Sequence, residues 1–163
     1  MISYVLAIVS FFALIAADQI TKYIVISNMA LNSSREFLPG FMNFWYIHNQ
    51  GGAWGFLDGH TWILLSLTIL IMIICVAMLL KFGIRNKLMF WSITLILSGG
   101  TGNMIDRVFR GGKVIDFLHF EFIDFPVFNV ADCAIVVGAL LLVLYFAVDM
   151  YKESKEETRA DAS

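Results

Sequence analysis

The chain has 163 residues, of which 60% are hydrophobic and 15% are charged, and its formal net charge is −2. A soluble domain usually contains about 25% charged residues, so this composition excludes an ordinary soluble protein, and we expect no nucleic-acid partner. Charges are rare up to residue 80 and crowded after Asp149, as in a lipid-buried body with a solvated tail. At this length we predict one integral membrane domain covering residues 1–163.

Four apolar segments are long enough to cross a membrane as helices. A helix needs about 20 apolar residues to cross a hydrocarbon core about 30 Å thick. The segments are residues 4–26, 61–80, 88–105 and 127–148. The first is too long for the apolar core of a secretory signal and lacks a basic region before it, so we expect it to be a retained span. The sequence therefore predicts an all-α membrane protein with four transmembrane helices.

The loop between the first two spans, residues 27–60, is aromatic as well as polar. Its segment 37–47 contains Phe37, Phe41, Phe44 and other β-prone residues around a Pro-Gly turn signal. We predict that it forms short strands near the membrane surface, as a small extracytoplasmic β-rich subdomain. A hydrophobic loop packed against the helices is the alternative, and the two descriptions are compatible.

The short loop after the second span predicts the orientation of the chain. Residues 81–87 include Lys81, Arg85 and Lys87, and short loops rich in basic residues usually lie in the cytoplasm. Both termini would then be cytoplasmic, with residues 152–163 as a charged tail. The ends of spans one and three and the starts of spans two and four would meet at the outer face.

Polar residues within the spans are concentrated at those outer ends. Asp18 and Lys22 lie late in the first span, four residues apart and so on one helix face. The polar and glycine-rich segment 99–107 closes the third span, and Asn129 and Asp132 open the fourth. Charged residues inside a membrane are costly and usually face the interior of the bundle, where they carry a function. We therefore expect a polar site near the outer interface.

Two aspartates near that interface suggest an acid–base pair. Asp116 lies in an apolar stretch, and Asp132 lies about 8 Å below the start of the fourth span at 1.5 Å per residue. When two carboxyl groups share a site, one pKa rises and the pair holds one proton. The ionised member can take a proton from water while the protonated member donates to a peptide carbonyl. Such a pair hydrolyses an amide without a metal or a covalent intermediate.

The residue types alone leave other functions open. Asp18 with Lys22, and Asp106 with Arg107, are more typical of structural ion pairs than of catalysts. These four residues also suit a relay in a small transporter, although the inner ends of the spans lack polar residues for one. A lipid-head-group transferase with metal-binding aspartates is a third alternative, but its carboxylates would need a closer spacing. HExxH and Gly-x-Ser-x-Gly motifs are absent, which disfavours a zinc protease and a serine hydrolase.

Five short motifs resemble, in order, those of lipoprotein signal peptidases, also called signal peptidase II. They are residues 18–22 (Asp-Gln-Ile-Thr-Lys), 49–55 (Asn-Gln-Gly-Gly-Ala-Trp-Gly), 102–107 (Gly-Asn-Met-Ile-Asp-Arg), 114–117 (Val-Ile-Asp-Phe) and 128–132 (Phe-Asn-Val-Ala-Asp). The resemblance covers nearly the whole chain, and the motif positions that we regard as essential all match. It implies an aspartyl endopeptidase of the bacterial cytoplasmic (inner) membrane with its active site near the outer face.

The resemblance also implies roles for particular residues. It makes Asp116 and Asp132 the catalytic pair, and the outer loop a substrate-holding β-cradle. The residues that it places at the substrate and inhibitor site are Asn49, Gly51, Asn103, Arg107 and Asn129. The residues that it makes structural supports are Asp18, Lys22 and Asp106. It implies no metal and no cofactor.

The family's chemistry implies the partners. Its members cut prolipoproteins just before a cysteine that carries a diacylglyceryl group. The resemblance therefore implies diacylated prolipoprotein substrates, contact with membrane lipid, and inhibition by globomycin-type peptides.

Overall fold

The computed structural model describes residues 2–83 and 86–161, so Arg85 and residues 162–163 of the predicted tail lie outside it. Within these residues there are four long helices and three strands. They are α1 (Ile2–Asn28), β1 (Ser34–Leu38), β2 (Met42–Asn49), α2 (Thr61–Phe82), α3 (Lys87–Phe109), β3 (Val114–Phe120) and α4 (Val130–Asp161). All four helices are long and apolar enough to cross a membrane. The predicted class, four transmembrane helices with a small β-rich subdomain, is confirmed.

Helix α3 is the central helix of the bundle. About 61% of its apolar segment is buried, against 6% to 11% in the other three helices. Glycines allow α4 to approach it closely: a Cβ on Gly99 would clash with the carbonyl oxygen of Ala131, and one on Gly138 would lie 2.8 Å from that of Ser92. Small residues permit such packing where water cannot drive helices together. The outer surfaces of α1, α2 and α4 are left to face lipid.

The start of α4 lies a few residues later than predicted for the fourth span. Phe128 pairs with Leu118 through backbone hydrogen bonds of 2.8 and 2.9 Å, so the chain is still extended there. Asn129 then caps the helix. Its side-chain oxygen accepts the Asp132 N–H at 2.9 Å, and the Asp132 carboxylate accepts the Asn129 N–H at 3.1 Å. This reciprocal capping box fixes where α4 begins.

The three strands form one antiparallel sheet in the order β1-β2-β3. Residues 27–60 supply β1 and β2 as predicted, whereas β3 is a third strand that the sequence analysis left as an apolar stretch. Ile47 pairs with Asp116 and Asn49 with Val114, so these side chains share one face of the sheet. The opposite face packs on Val25 of α1. We call the end of the bundle that carries the sheet the sheet end.

Candidate active site

A cavity of about 440 Å³ lies at the sheet end, between the sheet, the segment before α4 and the ends of α3 and α4. Asp116 of β3 and Asp132 of α4 both line it. The other polar side chains on its wall include those of Asn49, Asn103 and Arg107. Most of the remaining wall is apolar, formed by Trp54, Val114, Phe120, Phe125, Pro126, Val127, Phe128, Val136 and Val137. The cavity is therefore a mainly apolar chamber with two carboxyl groups on its wall.

Asn129 contacts both aspartates and holds them in one site. Its side-chain N–H donates to Asp116 Oδ1 at 2.6 Å, and its backbone N–H donates to Asp132 Oδ2 at 3.1 Å. Asn129 is fully buried, and its side-chain oxygen is occupied by the capping bond to the Asp132 N–H. Its amide cannot turn around without losing that bond, so its NH₂ group must face Asp116.

Two further asparagine amides are fixed in the same way. Asn49 donates to Asp116 Oδ2 at 2.7 Å while its oxygen accepts the Gly51 N–H at 3.0 Å. Asn103 donates to Asp132 Oδ1 at 2.7 Å while its oxygen accepts from Lys22 Nζ at 3.1 Å. A backbone N–H and an ammonium can only donate, so each amide has one possible orientation. Each of the four carboxylate oxygens therefore receives a neutral N–H donor.

The environment of Asp116 raises its pKa to about 7. Burial is the largest cause, because a charged carboxylate loses its hydration there, and the nearby Asp132 adds to it. Hydrogen bonds from Asn49 and Asn129, and the charge of Lys22, act in the opposite direction without cancelling it. A carboxyl group of this kind retains its proton at pH values where an exposed aspartate is ionised.

A buried ion cluster, which consists of Asp18, Lys22 and Asp106, lies directly behind the site. Lys22 Nζ lies 2.9 Å from Asp18 Oδ2 and 2.8 Å from Asp106 Oδ2, and all three residues are at most 1% exposed. Asp106 also contacts Arg110 at 3.1 Å. The ion pair of Asp106 with Arg107 expected from the sequence was wrong, because adjacent residues point to different sides of a helix, whereas Asp106 and Arg110, four apart, share a side.

Arg107 and Gly51 were both predicted to bind substrate, but of the two only Arg107 lines the cavity in the described structure. Arg107 lines the cavity, and among the described residues its buried Nε has no hydrogen-bond partner. Gly51 lies under the turn that follows β2, where a Cβ would come within 2.7 Å of the Asp58 nitrogen. Among the described residues it is the neighbouring Gly52 that borders the cavity. Gly51 thus allows this turn to pack closely beside Asn49.

Three residues that the sequence analysis did not assign also build the site. Gln19 donates to the Asp18 carboxylate at 3.1 Å and to the Asp106 carboxylate at 3.2 Å, and its place in the first motif is the signal that identifies it. Arg110 is detectable from its i, i+4 spacing to Asp106. Trp54 lines the cavity from a turn with positive φ, and its place in the second motif is the signal that identifies it. Within the described residues, no three His, Cys, Asp or Glu residues are grouped so that they could hold a metal ion.

Comparisons with known proteins agree on one family. A family model described as signal peptidase (SPase) II matches residues 10–148. A lipoprotein signal peptidase of Bacillus pumilus is 39% identical over 149 residues, covering 90% of this chain and 95% of that protein. One from Enterococcus faecalis is 35% identical over 150 residues, covering 89% and 91%. The resemblance inferred from the five motifs is confirmed.

Solved structures agree with these sequence relatives. A bacterial membrane enzyme determined at 2.3 Å resolution matches with a TM-score of 0.82 at 33% identity, covering 88% of each chain. A second, determined at 1.9 Å, matches with a TM-score of 0.74 at 35% identity, covering 86% of this chain and 91% of that one. The similarity in fold therefore extends over most of the chain.

Proposed function

This chain belongs to the signal peptidase II family, and we propose that it cleaves the signal peptide from prolipoproteins just before a diacylglyceryl-modified cysteine. Family membership makes it a multi-pass membrane protease. The proposal adds an aspartyl mechanism carried out by the dyad, by which we mean Asp116 and Asp132. The observation that carries it is that both carboxyl groups line one cavity and both accept hydrogen bonds from the same residue, Asn129.

We assign the proton to Asp116 and the negative charge to Asp132. Asp116 retains a proton because its pKa is raised to about 7 by burial and by the charge of its neighbour. Asp132 lies in the first turn of α4, where the helix dipole and the Asn129 N–H favour a negative charge. The pair then contains one acid and one base at neutral pH.

The proposed reaction needs only these two groups and one water molecule. Asp132 takes a proton from water, the oxygen forms a bond to the carbonyl carbon of the scissile amide, and Asp116 donates its proton to the carbonyl oxygen. The tetrahedral intermediate then breaks the C–N bond. The leaving amine takes the proton from Asp132, and one hydroxyl of the intermediate returns its proton to Asp116. Both aspartates end in their starting states, and no covalent intermediate with the enzyme forms.

The asparagines act mainly on the dyad in this proposal. The NH₂ groups of Asn49, Asn103 and Asn129 already donate to the carboxylates, so they orient the two aspartates. Arg107 is the better candidate for direct substrate binding, because it lines the cavity and its buried Nε is free among the described residues to donate to a peptide carbonyl. Gly51 stays a predicted substrate-site residue, and its proposed role is indirect: it allows the turn beside Asn49 to pack closely.

The apolar wall suits a lipid-modified substrate. Acyl chains on the substrate cysteine stay in the bilayer, so the amide to be cut lies near the headgroup level, and a chamber at one end of the helices can meet it there. Phe125, Phe128, Val136 and Val137 offer an apolar surface beside the dyad. Binding energy gained on the lipid, remote from the reacting amide, can be used to position that amide.

The location follows from the same proposal. We place the chain in the bacterial cytoplasmic membrane, with the sheet end at the outer face and both termini in the cytoplasm. Lys81 and Lys87 flank the short loop at the opposite end, and Lys152 and Lys155 lie on the last turns of α4, in keeping with the excess of basic residues in cytoplasmic segments. Globomycin-type peptides should compete with substrate for the chamber.

The proposal is tested by replacing each dyad carboxyl with an amide of the same shape. We expect Asp116→Asn and Asp132→Asn each to abolish release of the signal fragment from a diacylated prolipoprotein in proteoliposomes, because neither variant retains both an acid and a base. Asp124→Asn, which alters an exposed acid in the segment before α4, is the matched control and should cleave normally. Thermal unfolding in detergent confirms that each variant is folded. Full activity in either dyad variant would remove that residue from catalysis.

A further inference from the structure

The ion cluster contacts the backbone immediately before each aspartate of the dyad. Asp18 Oδ1 accepts the N–H of Ala131 at 3.0 Å, and Asp106 Oδ2 accepts the N–H of Ile115 at 3.2 Å. Ala131 and Ile115 each precede one dyad residue in the chain. Both residues are 2% exposed, so no water competes for these bonds. Each carboxylate of the cluster therefore anchors one half of the site.

Lys22 joins these two anchors. Its ammonium contacts Asp18 at 2.9 Å, Asp106 at 2.8 Å and Asn103 at 3.1 Å, which uses all three of its N–H donors. The third contact leads to the dyad, because Asn103 donates in turn to Asp132. One buried ammonium thus sets the distance between the two anchors and the orientation of the amide between them.

The cluster is also where the elements that carry the dyad meet. Asp18 and Lys22 belong to α1, Asp106 to α3, and the anchored backbone groups to α4 and β3. Gly102 of α3 leaves the space for this contact, since a Cβ there would lie 2.7 Å from Asp18 Oδ2 and 3.2 Å from the Ala131 Cβ. A side chain at that position would push the Asp18 carboxylate away from α4.

We propose that Asp18, Lys22 and Asp106 form a positioning cluster that sets the separation of the two dyad carboxyls by anchoring the backbone before each. The inference rests on the proposed function, because it concerns the geometry of that dyad. None of the three lines the cavity in the described part of the chain, so they act on the reaction without touching substrate. A displaced anchor should therefore lower kcat and leave KM unchanged, whereas a merely structural cluster would change only the amount of folded protein.

A glycine pair on α3 tests this without altering any charge. Gly102→Ala should lower kcat per folded molecule by at least about tenfold with KM unchanged, because a displacement of about 1 Å is enough for such a loss. Gly100→Ala is the matched control on the same helix, since its Cβ would meet the side chains of Met72 and Thr68 at an ordinary 3.7 and 3.8 Å. It should retain the wild-type kcat. Equal kcat values in the two variants, or a change confined to KM, would overturn the inference.

A second pair of variants keeps the test decisive if Gly102→Ala does not fold. Asp18→Asn and Asp18→Leu are each combined with Lys22→Met, which leaves Asp106 balanced by Arg110. The asparagine retains an oxygen for the Ala131 N–H, whereas the leucine has a similar branched shape and no acceptor. We expect the asparagine double variant to have a kcat at least about tenfold above that of the leucine double variant, measured per folded molecule. Equal values would contradict the anchoring role.

Two parallel reactions separate failure of this inference from failure of the proposed function. Wild type should cleave the diacylated prolipoprotein, and Asp116→Asn should not. If either result is reversed, the proposed function itself fails. If both hold and the glycine and double-variant pairs show no difference in kcat, only the positioning cluster is refuted.

Discussion

Two pairs of aspartates are buried at the same end of this protein, and their partners differ. Asp18 and Asp106 contact the Lys22 ammonium at 2.9 and 2.8 Å, and an arginine one turn further along α3 also contacts Asp106. Asp116 and Asp132 instead accept hydrogen bonds from asparagine amides and a backbone N–H. Within the described residues neither of these two forms an ion pair.

This difference separates the aspartates that support the site from the aspartates proposed to react. A carboxylate in contact with a buried ammonium is part of an ion pair, and its contribution is the geometry that the pair fixes. A carboxyl group surrounded by neutral donors can hold a proton or release it. Asp116 is of the second kind, and burial together with the charge of Asp132 raises its pKa to about 7. Charge balance thus distinguishes the supporting pair from the pair proposed to react.

The largest expected effect comes from breaking the balance of the ion cluster. Lys22→Met leaves Asp18 and Asp106 with only the arginine as a cation, and uncompensated buried charge typically costs about 3–5 kcal/mol. We expect a corresponding fall in the free energy of unfolding, measured by thermal or denaturant unfolding in detergent. Asp18→Asn combined with Lys22→Met restores neutrality and should recover most of this loss. If Lys22→Met alone were as stable as the double variant, the charge balance of the ion cluster would not contribute to stability.

A smaller effect is expected on the pH dependence of stability, through the protonated carboxyl group of Asp116. Folded Asp116 holds its proton to about pH 7, whereas an unfolded aspartate ionises near pH 4, so unfolding releases a proton between these values. Stability therefore falls as pH rises through this window, and wild type should lose about 2–3 kcal/mol between pH 5 and pH 8 relative to Asp116→Asn. Unfolding of both proteins at the two pH values measures this, with Asp124→Asn expected to follow wild type. If the free energy of unfolding changed equally between pH 5 and pH 8 in wild type and Asp116→Asn, Asp116 would not be protonated in the folded protein.

Much of the fold was predictable because the signals are local. Apolar length identified the four spans, and a turn signal with β-prone residues identified the first two strands. The third strand was missed, because β3 forms only through long-range pairing with β2. The start of α4 was placed too early for a related reason: residues before it are held extended by β3.

The candidate site was predictable in its residues and not in its contacts. The motifs named Asp116, Asp132 and three asparagines. In the structure both aspartates line one cavity together with Asn49 and Asn103, and the buried Asn129 contacts both aspartates from behind. The contact of Lys22 with Asp106 joins two helices, and no spacing within either one predicts it. The orientation of each asparagine amide depends on which donor reaches its side-chain oxygen. For Asn103 that donor is Lys22 of another helix, so only the folded structure shows it.

The most direct test of the central claim, that Asp116 and Asp132 hold one proton between them, is an infrared titration of carboxyl groups in the folded protein. The account predicts a protonated-carboxyl band that persists above pH 5, titrates near pH 7, is absent from Asp116→Asn and is retained in Asp124→Asn. Complete ionisation of all carboxyl groups by about pH 5, or an unchanged band in Asp116→Asn, would contradict it.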